Sequence, residues 1–199
     1  MKIAIFGASG KIGKGVVDTL ASHTLIKIGR TSGDLHLNYT DAGAVKNAFD
    51  QTDRLDAVIV CVGGDSQFKH VSELTDEDFR FGSERKLVAQ FRIARLAAEV
   101  LNDNGSITLT SGFLTDYPNP YSLATGPFNS AINTFVIQYS TMLSRGLRIN
   151  VVSPAPVVSA DQVQKGVISP EQVATYYQRS VEGNETGIVY RAWGGLEED

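Results

Sequence analysis

The chain has 199 residues, of which 42% are hydrophobic and 20% are charged, and its formal net charge is −4. This composition fits one globular domain with a core of its own, and it argues against a broadly basic surface for nucleic acid or a membrane. No apolar run reaches the length that spans a bilayer. The single cysteine, Cys61, cannot form an internal disulfide, so we expect a soluble, cytoplasmic protein.

The first twenty residues carry the most informative motif. Residues 2–6 form a short apolar run that predicts a buried strand, and the apolar positions within residues 16–20 predict a helix. Between them lies the glycine-rich turn Gly7-Ala8-Ser9-Gly10-Lys11-Ile12-Gly13. A strand, a glycine turn and a helix in this order are typical of dinucleotide-binding folds, in which the helix N-terminus receives the phosphates.

Each glycine of this turn has its own expected task. Gly7 lets the chain turn sharply, Gly10 lets backbone N–H groups approach a pyrophosphate, and Gly13 lets the helix pack closely on the strand. The alternative interpretation is a glycine-rich turn that binds no ligand. The position of the motif directly after the first predicted strand favours cofactor binding.

The end of the second predicted strand bears on the choice between NAD and NADP. An acidic residue at this position would bind the 2′-hydroxyl of the adenosine ribose in NAD. The chain has Arg30, Thr31 and Ser32 there, with Lys11 in the glycine turn, and these cations and hydroxyls suit a 2′-phosphate. Asp34 lies near the acidic spacing but in an expected turn, and Arg30 as a solvated loop residue is the alternative. The pattern favours NADP(H).

The rest of the chain alternates predicted strands and helices without an internal repeat. Helices are expected at 42–49, from a Thr75 cap to about 101, from about 128 to 144, and after a Ser169 cap. The predicted strands cover residues 2–6, 25–28, 35–39, 56–62, 106–110, 148–152 and 187–193. This order predicts an α/β fold with a doubly wound parallel sheet (Rossmann-like) in a single domain, residues 1–199, with its ligand at the carboxyl ends of the strands.

The chain resembles the short-chain dehydrogenase/reductase family over nearly its full length. The matching features are the glycine turn, the strand that exits at Gly63, Ser111 after the fifth strand, residues 148–154, and Thr186-Gly187. The resemblance implies a nicotinamide cofactor, a small-molecule substrate, and a homodimer or homotetramer formed through the helices after strands four and five. The glycine spacing departs from the family, because Gly10 and Lys11 stand where its members have another residue and then Gly.

The residues expected to bind NADP(H) lie in the glycine turn and in the segments that follow other strands. They are Gly7, Ser9, Gly10, Lys11, Ile12, Gly13, Arg30, Thr31, Ser32, Asn38, Val62, Gly63, Gly64 and Pro154. No metal is expected, because the three histidines are scattered along the chain and none pairs with another ligand.

The usual catalytic pair of the family is missing from this chain. The family uses an Asn, a Ser, and a Tyr-x-x-x-Lys motif in the helix after strand five. Counting back from the sixth strand puts Thr125 at the position of the Tyr and Asn129 at that of the Lys, with an uncertainty of one residue. No lysine occurs between Lys86 and Lys165, so the Tyr–Lys pair is absent whatever the register.

Lys86 falls where the family usually has its Asn, in the helix before strand five. We therefore expect that the Asn and Lys positions have exchanged, with Lys86 opposite Asn129; the alternative is a surface lysine on an amphipathic helix. The expected catalytic set is Lys86, Ser111 and Tyr121, with Tyr117 as a second candidate for the proton donor. This set predicts an NADP(H)-dependent oxidoreductase with an atypical active site, acting on a small carbonyl compound or alcohol. The alternative is a non-catalytic NADP(H)-binding sensor or regulatory protein.

Overall fold

A parallel sheet runs through the molecule, and the computed structural model describes it within residues 1–64 and 67–196. Residues 65–66, in a predicted loop, and residues 197–199, in the predicted domain, lie outside the described residues. The strands are β1 (Lys2–Phe6), β2 (Thr24–Gly29), β3 (Leu35–His36), β4 (Leu55–Val60), β5 (Leu101–Thr110), β6 (Arg148–Pro154) and β7 (Val189–Ala192). All neighbouring pairs are parallel, in the order β3-β2-β1-β4-β5-β6-β7.

Helices cover both faces of this sheet. The helices are α1 (Lys11–Thr19), α2 (Ala42–Asp50), α3 (Asp76–Gly82), α4 (Ala89–Val100), α5 (Gly126–Ser140) and α6 (Pro170–Glu182). Side chains of α1 and α6 share one apolar core, and those of α2, α4 and α5 share the other. None of these described helices combines the length and apolarity that a bilayer crossing requires.

The central strands are apolar because both of their faces are buried. In β1, Ile3 and Ile5 pack into the core with α1 and α6, whereas Ala4 and Phe6 pack into the core on the opposite face. Successive side chains of a strand point to opposite faces, so a strand covered on both sides needs an unbroken apolar run. The predicted doubly wound parallel sheet in a single domain is confirmed.

The predicted strands are all present, but several of their ends differ. The third strand was expected to reach residue 39, and β3 ends at His36. The reason is that the Asn38 side chain accepts hydrogen bonds from the backbone and hydroxyl of Thr40, which turns the chain away from the sheet edge. Three further strand ends differ from the prediction: β4 stops at Val60 instead of residue 62, β5 begins at Leu101 instead of residue 106, and β6 continues to Pro154 instead of ending at residue 152.

The long helix predicted from the Thr75 cap is interrupted. The cap itself is confirmed, because Thr75 and Asp78 form a reciprocal capping box at the start of α3. Between α3 and α4, however, Ser83–Val88 form a π-helical segment, which we call the π turn. Its residues include good helix formers, so their local preferences do not indicate the wider winding. Single π-helical turns inside α-helices are frequent at functional sites.

The helix after β5 begins earlier and ends earlier than predicted. Pro127 was assigned to the preceding loop, but it lies in the first turn of α5, where its missing N–H costs no helical hydrogen bond. The helix ends at Ser140 instead of residue 144. Farther on, Arg145 and Gly146 both have positive φ, of 58° and 68°, and turn the chain into β6.

Candidate functional site

The glycine turn brings β1, α1 and the end of β4 into close contact. Gly7 has a φ of +82°, and a Cβ atom there would collide with the carbonyl oxygen of Cys61. A Cβ atom on Gly13 would collide with the carbonyl oxygen of Gly7. Gly10 is less restricted, since a Cβ atom there would lie 3.2 Å from the same carbonyl oxygen. Two of the three glycines are therefore required by close packing.

A groove of about 250 Å³ opens beside this turn, and we call it the glycine groove. It lies at the carboxyl ends of β1, β2 and β4. Seven of the expected cofactor-binding residues line it: Gly7, Ser9, Gly10, Arg30, Val62, Gly63 and Gly64. Arg30 is exposed at its edge. The groove also contains apolar wall residues that the sequence analysis did not single out, among them Leu37 and Tyr39.

The other seven expected cofactor-binding residues lie outside the lining of the glycine groove, among them Gly13 of the turn, Lys11 and Pro154. Thr31 is exposed, and Ser32 lines a separate surface hollow on the far side of Ser9. Asn38 is engaged by Thr40, and its two neighbours in the chain face the groove in its place. The side chain of Ile12 is half-buried and packs against the core beneath α1.

Lys11 points away from Arg30. Its Nζ atom donates a hydrogen bond to the carbonyl oxygen of Val157 at 3.0 Å, in the loop that follows β6. The structure therefore does not bring the two cations together, as the proximity of the glycine turn to the second strand had suggested. Lys11 is the first residue of α1, and its ammonium group lies on the β6 side of the sheet.

The acidic residue nearest the end of β2 is committed to a turn. The Asp34 carboxylate accepts a hydrogen bond from the backbone N–H of Lys27 at 2.7 Å, and the Asp34 N–H donates to the Lys27 carbonyl at 2.7 Å. The carboxylate thus folds back along β2 and is not part of the groove lining. No carboxylate is found among the described residues that line the glycine groove.

A second cavity, of about 320 Å³, lies at the carboxyl ends of β4, β5 and β6, and we call it the strand-end cavity. It shares Gly63 and Gly64 with the glycine groove, so the two are neighbours. The expected residues Lys86, Ser111 and Pro154 line it, and so do Thr125 and Asn129.

Lys86 reaches this cavity from the π turn and is only 6% exposed. Its Nζ atom donates to the carbonyl oxygen of Ser111 at 3.2 Å. The backbone of β4 passes close by, since a Cβ atom on Gly63, whose φ is +90°, would lie 2.9 Å from the Lys86 Cα atom. The described contacts do not fit the alternative of a surface lysine. Lys86 and Asn129 line the same cavity, as the expected exchange requires.

Three buried polar atoms of the strand-end cavity have no hydrogen-bond partner within the described protein: Ser111 Oγ, Thr125 Oγ1 and Asn129 Oδ1. All three residues are at most 4% exposed. Buried polar groups are nearly always hydrogen-bonded, because leaving one unpaired costs about 1–3 kcal/mol. Two further atoms of this kind, on Ser106 and Asn133, lie outside the cavity. The concentration of three in one cavity indicates a place where a ligand supplies the missing partners.

The two candidate tyrosines are not brought into the strand-end cavity. Tyr121 is 53% exposed, and its ring lies against that of His70 at 5.9 Å. The Tyr117 ring packs against Trp193 at 5.3 Å, and its hydroxyl donates to the Leu196 carbonyl. Neither is among the residues that line the cavity. Side chains of a proline-rich loop have no regular direction that a sequence pattern could predict.

Cys61 lines the glycine groove, but its thiol is not a reactive thiolate. Burial raises the pKa of its thiol to about 12, so it is neutral near pH 7. Beneath it, the Thr110 hydroxyl donates to the Val60 carbonyl and accepts from the Tyr177 hydroxyl, each at 2.6 Å. This buried cluster supports the groove from below. Within residues 1–64 and 67–196, no group of three or more His, Cys, Asp or Glu side chains is arranged to hold a metal ion.

Comparison with known sequences gives both a family and relatives. The family model described as enoyl-(acyl carrier protein) reductase matches residues 2–187. An uncharacterised oxidoreductase of Methylorubrum extorquens is 29% identical over 133 residues, which are 66% of this chain and 53% of that protein. The chain spans about half the length of the curated relatives that it matches.

Solved structures are similar over nearly the whole chain. The crystal structure of the protein lin1944 from Listeria innocua has a TM-score of 0.91 and 32% identity, covering 97% of this chain and all of that one (100%). A small-chain dehydrogenase in complex with NADPH has a TM-score of 0.87 and 22% identity, covering 98% of this chain and 97% of that one. The second likeness shows the fold. None of these findings supports the non-catalytic alternative.

Proposed function

Since the chain belongs to the short-chain dehydrogenase/reductase family, we propose that it is an NADP(H)-dependent oxidoreductase acting on a small carbonyl compound or alcohol. One observation carries this proposal beyond the family. The strand-end cavity places three unpartnered polar atoms and the buried Lys86 beside the groove that begins at the glycine turn. A site of this kind has hydrogen-bonding capacity that only a bound molecule uses.

The residues at the glycine turn fit the diphosphate of a dinucleotide. Gly10 caps α1 without a side-chain hydrogen bond, and the first turn of α1 has no acidic residue. The backbone N–H groups and the positive end of the helix dipole are therefore available to an anion. Gly7 and Gly13 hold this end of the helix against β1, which keeps the anion site next to the groove.

The groove edge fits NADP(H) better than NAD(H). Arg30 lies at the edge with its charge exposed, and a guanidinium suits the 2′-phosphate of NADP(H). The competing carboxylate, Asp34, is held by the backbone of Lys27. The related dehydrogenase solved with NADPH provides a precedent for this cofactor on the same fold.

Lys11 takes a role different from the one expected of it. Its ammonium group lies at the start of α1 and bonds the loop after β6. In this position the ammonium group adds positive charge near the expected diphosphate, and it points away from Arg30. Lys11 therefore contributes to binding of NADP(H) and NAD(H) alike, whereas Arg30 distinguishes them.

The chemistry of the strand-end cavity follows from its own polar groups. When bound, NADPH supplies a hydride to the substrate carbonyl carbon. The hydroxyls of Ser111 and Thr125 donate hydrogen bonds to the substrate oxygen. The Lys86 ammonium donates the proton to that oxygen, the role that the Tyr of the family's motif has in other members. Asn129 Oδ1 accepts a hydrogen bond from a hydroxyl or N–H of the bound molecules. The Lys86 amine then regains its proton from solvent.

Association with a second copy would use the outer faces of α4 and α5, as in other family members. Phe91 and Phe135 stack at 4.0 Å between these helices and are partly exposed, and Ile137, also on α5, is 51% exposed. These side chains offer an apolar surface for a dimer or tetramer.

Substitution of Lys86 tests the proposed function most simply. Lys86 packs against Gly63, where the strand-end cavity meets the glycine groove, so its charge lies close to a cofactor that extends between them. We therefore expect Lys86→Ala to weaken NADPH binding about tenfold, or ~1.4 kcal/mol, and to slow NADPH oxidation further in the presence of a carbonyl substrate. Arg85→Ala is the matched control, since Arg85 is the neighbouring cation and its guanidinium lies over the Phe81 ring. Equal effects of the two substitutions on NADPH titrations of folded protein would contradict the proposal.

A further inference from the structure

Two segments of the chain, residues 67–74 and 113–123, carry an unusual share of exposed apolar side chains. In the described part of the chain, ten large apolar side chains are exposed, and half of them lie on these two segments: Phe68, Val71, Tyr117, Tyr121 and Leu123. Single exposed apolar residues are ordinary, but their concentration in one region marks a binding surface.

Both segments border the strand-end cavity. The first contributes Phe68 to its lining, and the second contributes Phe113, Leu114 and Asn119. The rings of His70 and Tyr121 join the two segments at a centroid distance of 5.9 Å. Phe68 is 57% exposed although it forms part of the cavity wall. One wall of the cavity is therefore the ring of Phe68, which stays largely exposed in the described protein.

The polarity of the cavity is divided between its floor and its walls. The unpartnered atoms belong to Ser111, at the end of β5, and to Thr125 and Asn129, at the start of α5. Apart from Lys86 and Asn119, the other side chains of the lining are apolar, and we call them the walls of the cavity: Phe68, Phe113, Leu114, Pro154, Ala155 and Pro156. Among the described lining residues there is no carboxylate. A ligand with several hydroxyl groups would place some of them against these walls without partners, at a cost in desolvation.

The size of the cavity limits its occupant. Its volume of about 320 Å³ is at the lower end of the ~300–1,000 Å³ found for small-molecule sites, and the reactive end of a cofactor would take part of it. From these features we propose that the substrate is an aryl-substituted ketone, aldehyde or alcohol, with its one oxygen at the polar floor and its ring against Phe68. This inference rests on the proposed function and names its substrate class.

A pair of ketones in the presence of NADP⁺ tests the inference. The oxidised cofactor cannot reduce a ketone, so binding is measured without turnover. 4-Phenyl-2-butanone and 2-butanone present the same methyl ketone and differ in the phenyl group. We expect the phenyl ketone to bind at least tenfold more tightly to the wild-type protein in titrations followed by NMR chemical shifts.

Substitution of Phe68 locates that preference. Phe68→Ser is expected to reduce the advantage of the phenyl ketone to about threefold or less, while the affinities for 2-butanone and NADP⁺ stay unchanged. The control is Met142→Ser, because Met142 is also exposed, at 72%, but does not line the cavity. It should behave as the wild type does.

The outcomes separate the substrate class from the proposed function. Equal affinities for the two ketones, or a Phe68→Ser variant with the wild-type preference, would overturn the inference while leaving NADP⁺ binding intact. If NADP⁺ does not bind, the same ketone titrations are made on the protein alone. A phenyl preference that depends on Phe68 would then support the apolar site, and its absence would overturn the inference together with the proposed function.

Discussion

Two buried threonines differ in whether their hydroxyl groups are hydrogen-bonded within the fold. The Thr110 hydroxyl is fully used, by the Val60 carbonyl and the Tyr177 hydroxyl. The Thr125 hydroxyl is as deeply buried but has no partner, and it does not cap α5, whose N-terminal position it occupies. A buried hydroxyl without a hydrogen bond lowers the stability of the fold, and such destabilising groups are typical of functional sites.

This difference predicts opposite effects of the same substitution on stability. Thr125→Val removes an unpaired hydroxyl at nearly constant volume, so the ligand-free protein should become up to about 1 kcal/mol more stable. Thr110→Val removes the hydrogen bonds of this hydroxyl to the Val60 carbonyl and the Tyr177 hydroxyl and should cost about 1–3 kcal/mol. Urea unfolding measures both. A Thr125→Val variant that loses as much stability as Thr110→Val would show that the Thr125 hydroxyl is structural.

Lys11 predicts a second result at the residue scale. Lys11→Met should weaken NADPH, NADH and ADP to a similar extent, about three- to tenfold, because the diphosphate is common to all three ligands. Lys14→Met is the control, since Lys14 is exposed and lines the hollow outside the groove. Calorimetric titration with each nucleotide measures the effect. A loss confined to NADPH would assign Lys11 to the 2′-phosphate instead.

The sequence predicts the types of site residue better than their directions. The position of Lys86 in the helix, matched to the family's usual Asn, suggested that it lies opposite Asn129, and both residues line one cavity. Tyr121 and Lys11 were misjudged in direction, because a loop and a long flexible side chain have no periodic pattern. Thr125 could be assigned to the family's Tyr position only by a count whose register was uncertain by one residue.

At the scale of elements, the exit of β4 and the π turn depend on each other. Gly63 combines a φ of +90° with a close approach to the backbone of Lys86, whereas Gly64 has open space where a Cβ would lie. We predict that Gly63→Ala costs about 1–3 kcal/mol and displaces Lys86, and that NADPH binding falls with it. Gly64→Ala should change stability by less than about 0.5 kcal/mol. Thermal unfolding of both variants measures the difference, and similar melting temperatures would contradict the close packing.

The start of α3 predicts a pH dependence. The Lys69 ammonium, together with the backbone N–H and hydroxyl of Thr75, lowers the pKa of Asp78 to about 2. The unfolded value is near ~3.9, so this carboxylate stabilises the fold fully above that pH and loses its contribution as the pH falls toward 2. We expect unfolding free energy to drop more steeply between pH 4 and pH 2 in the wild type than in Asp78→Asn. Parallel slopes in urea titrations would contradict this assignment.

The elements themselves were predictable because their signals are local. A capping box at Thr75 and Asp78, and apolar runs at β1 and β4, specify where a helix or strand begins. The π turn was not predictable, since its residues are ordinary helix formers and its contact with Gly63 joins segments that are distant in the sequence. The short β3 was missed because one Asn side chain ends the strand before its apolar pattern ends.

At the scale of the whole molecule, the features of the candidate site lie together at one edge of the sheet. Parallel strands place all of their carboxyl ends together, and there the chain has its positive-φ glycines at 7 and 63, its π turn, and its three unpaired polar atoms. Strand–helix alternation was sufficient to predict this arrangement, because right-handed crossovers leave few other topologies.

The central claim is that the glycine groove binds a nicotinamide dinucleotide and prefers NADP(H) through Arg30. Parallel titrations of the purified protein with NADPH and NADH, repeated on Arg30→Ala, test it most directly. We expect NADPH to bind at least tenfold more tightly than NADH, and Arg30→Ala to remove this preference by weakening NADPH alone. Equal affinities in the wild type, or no binding of either nucleotide, would contradict this assignment of the groove.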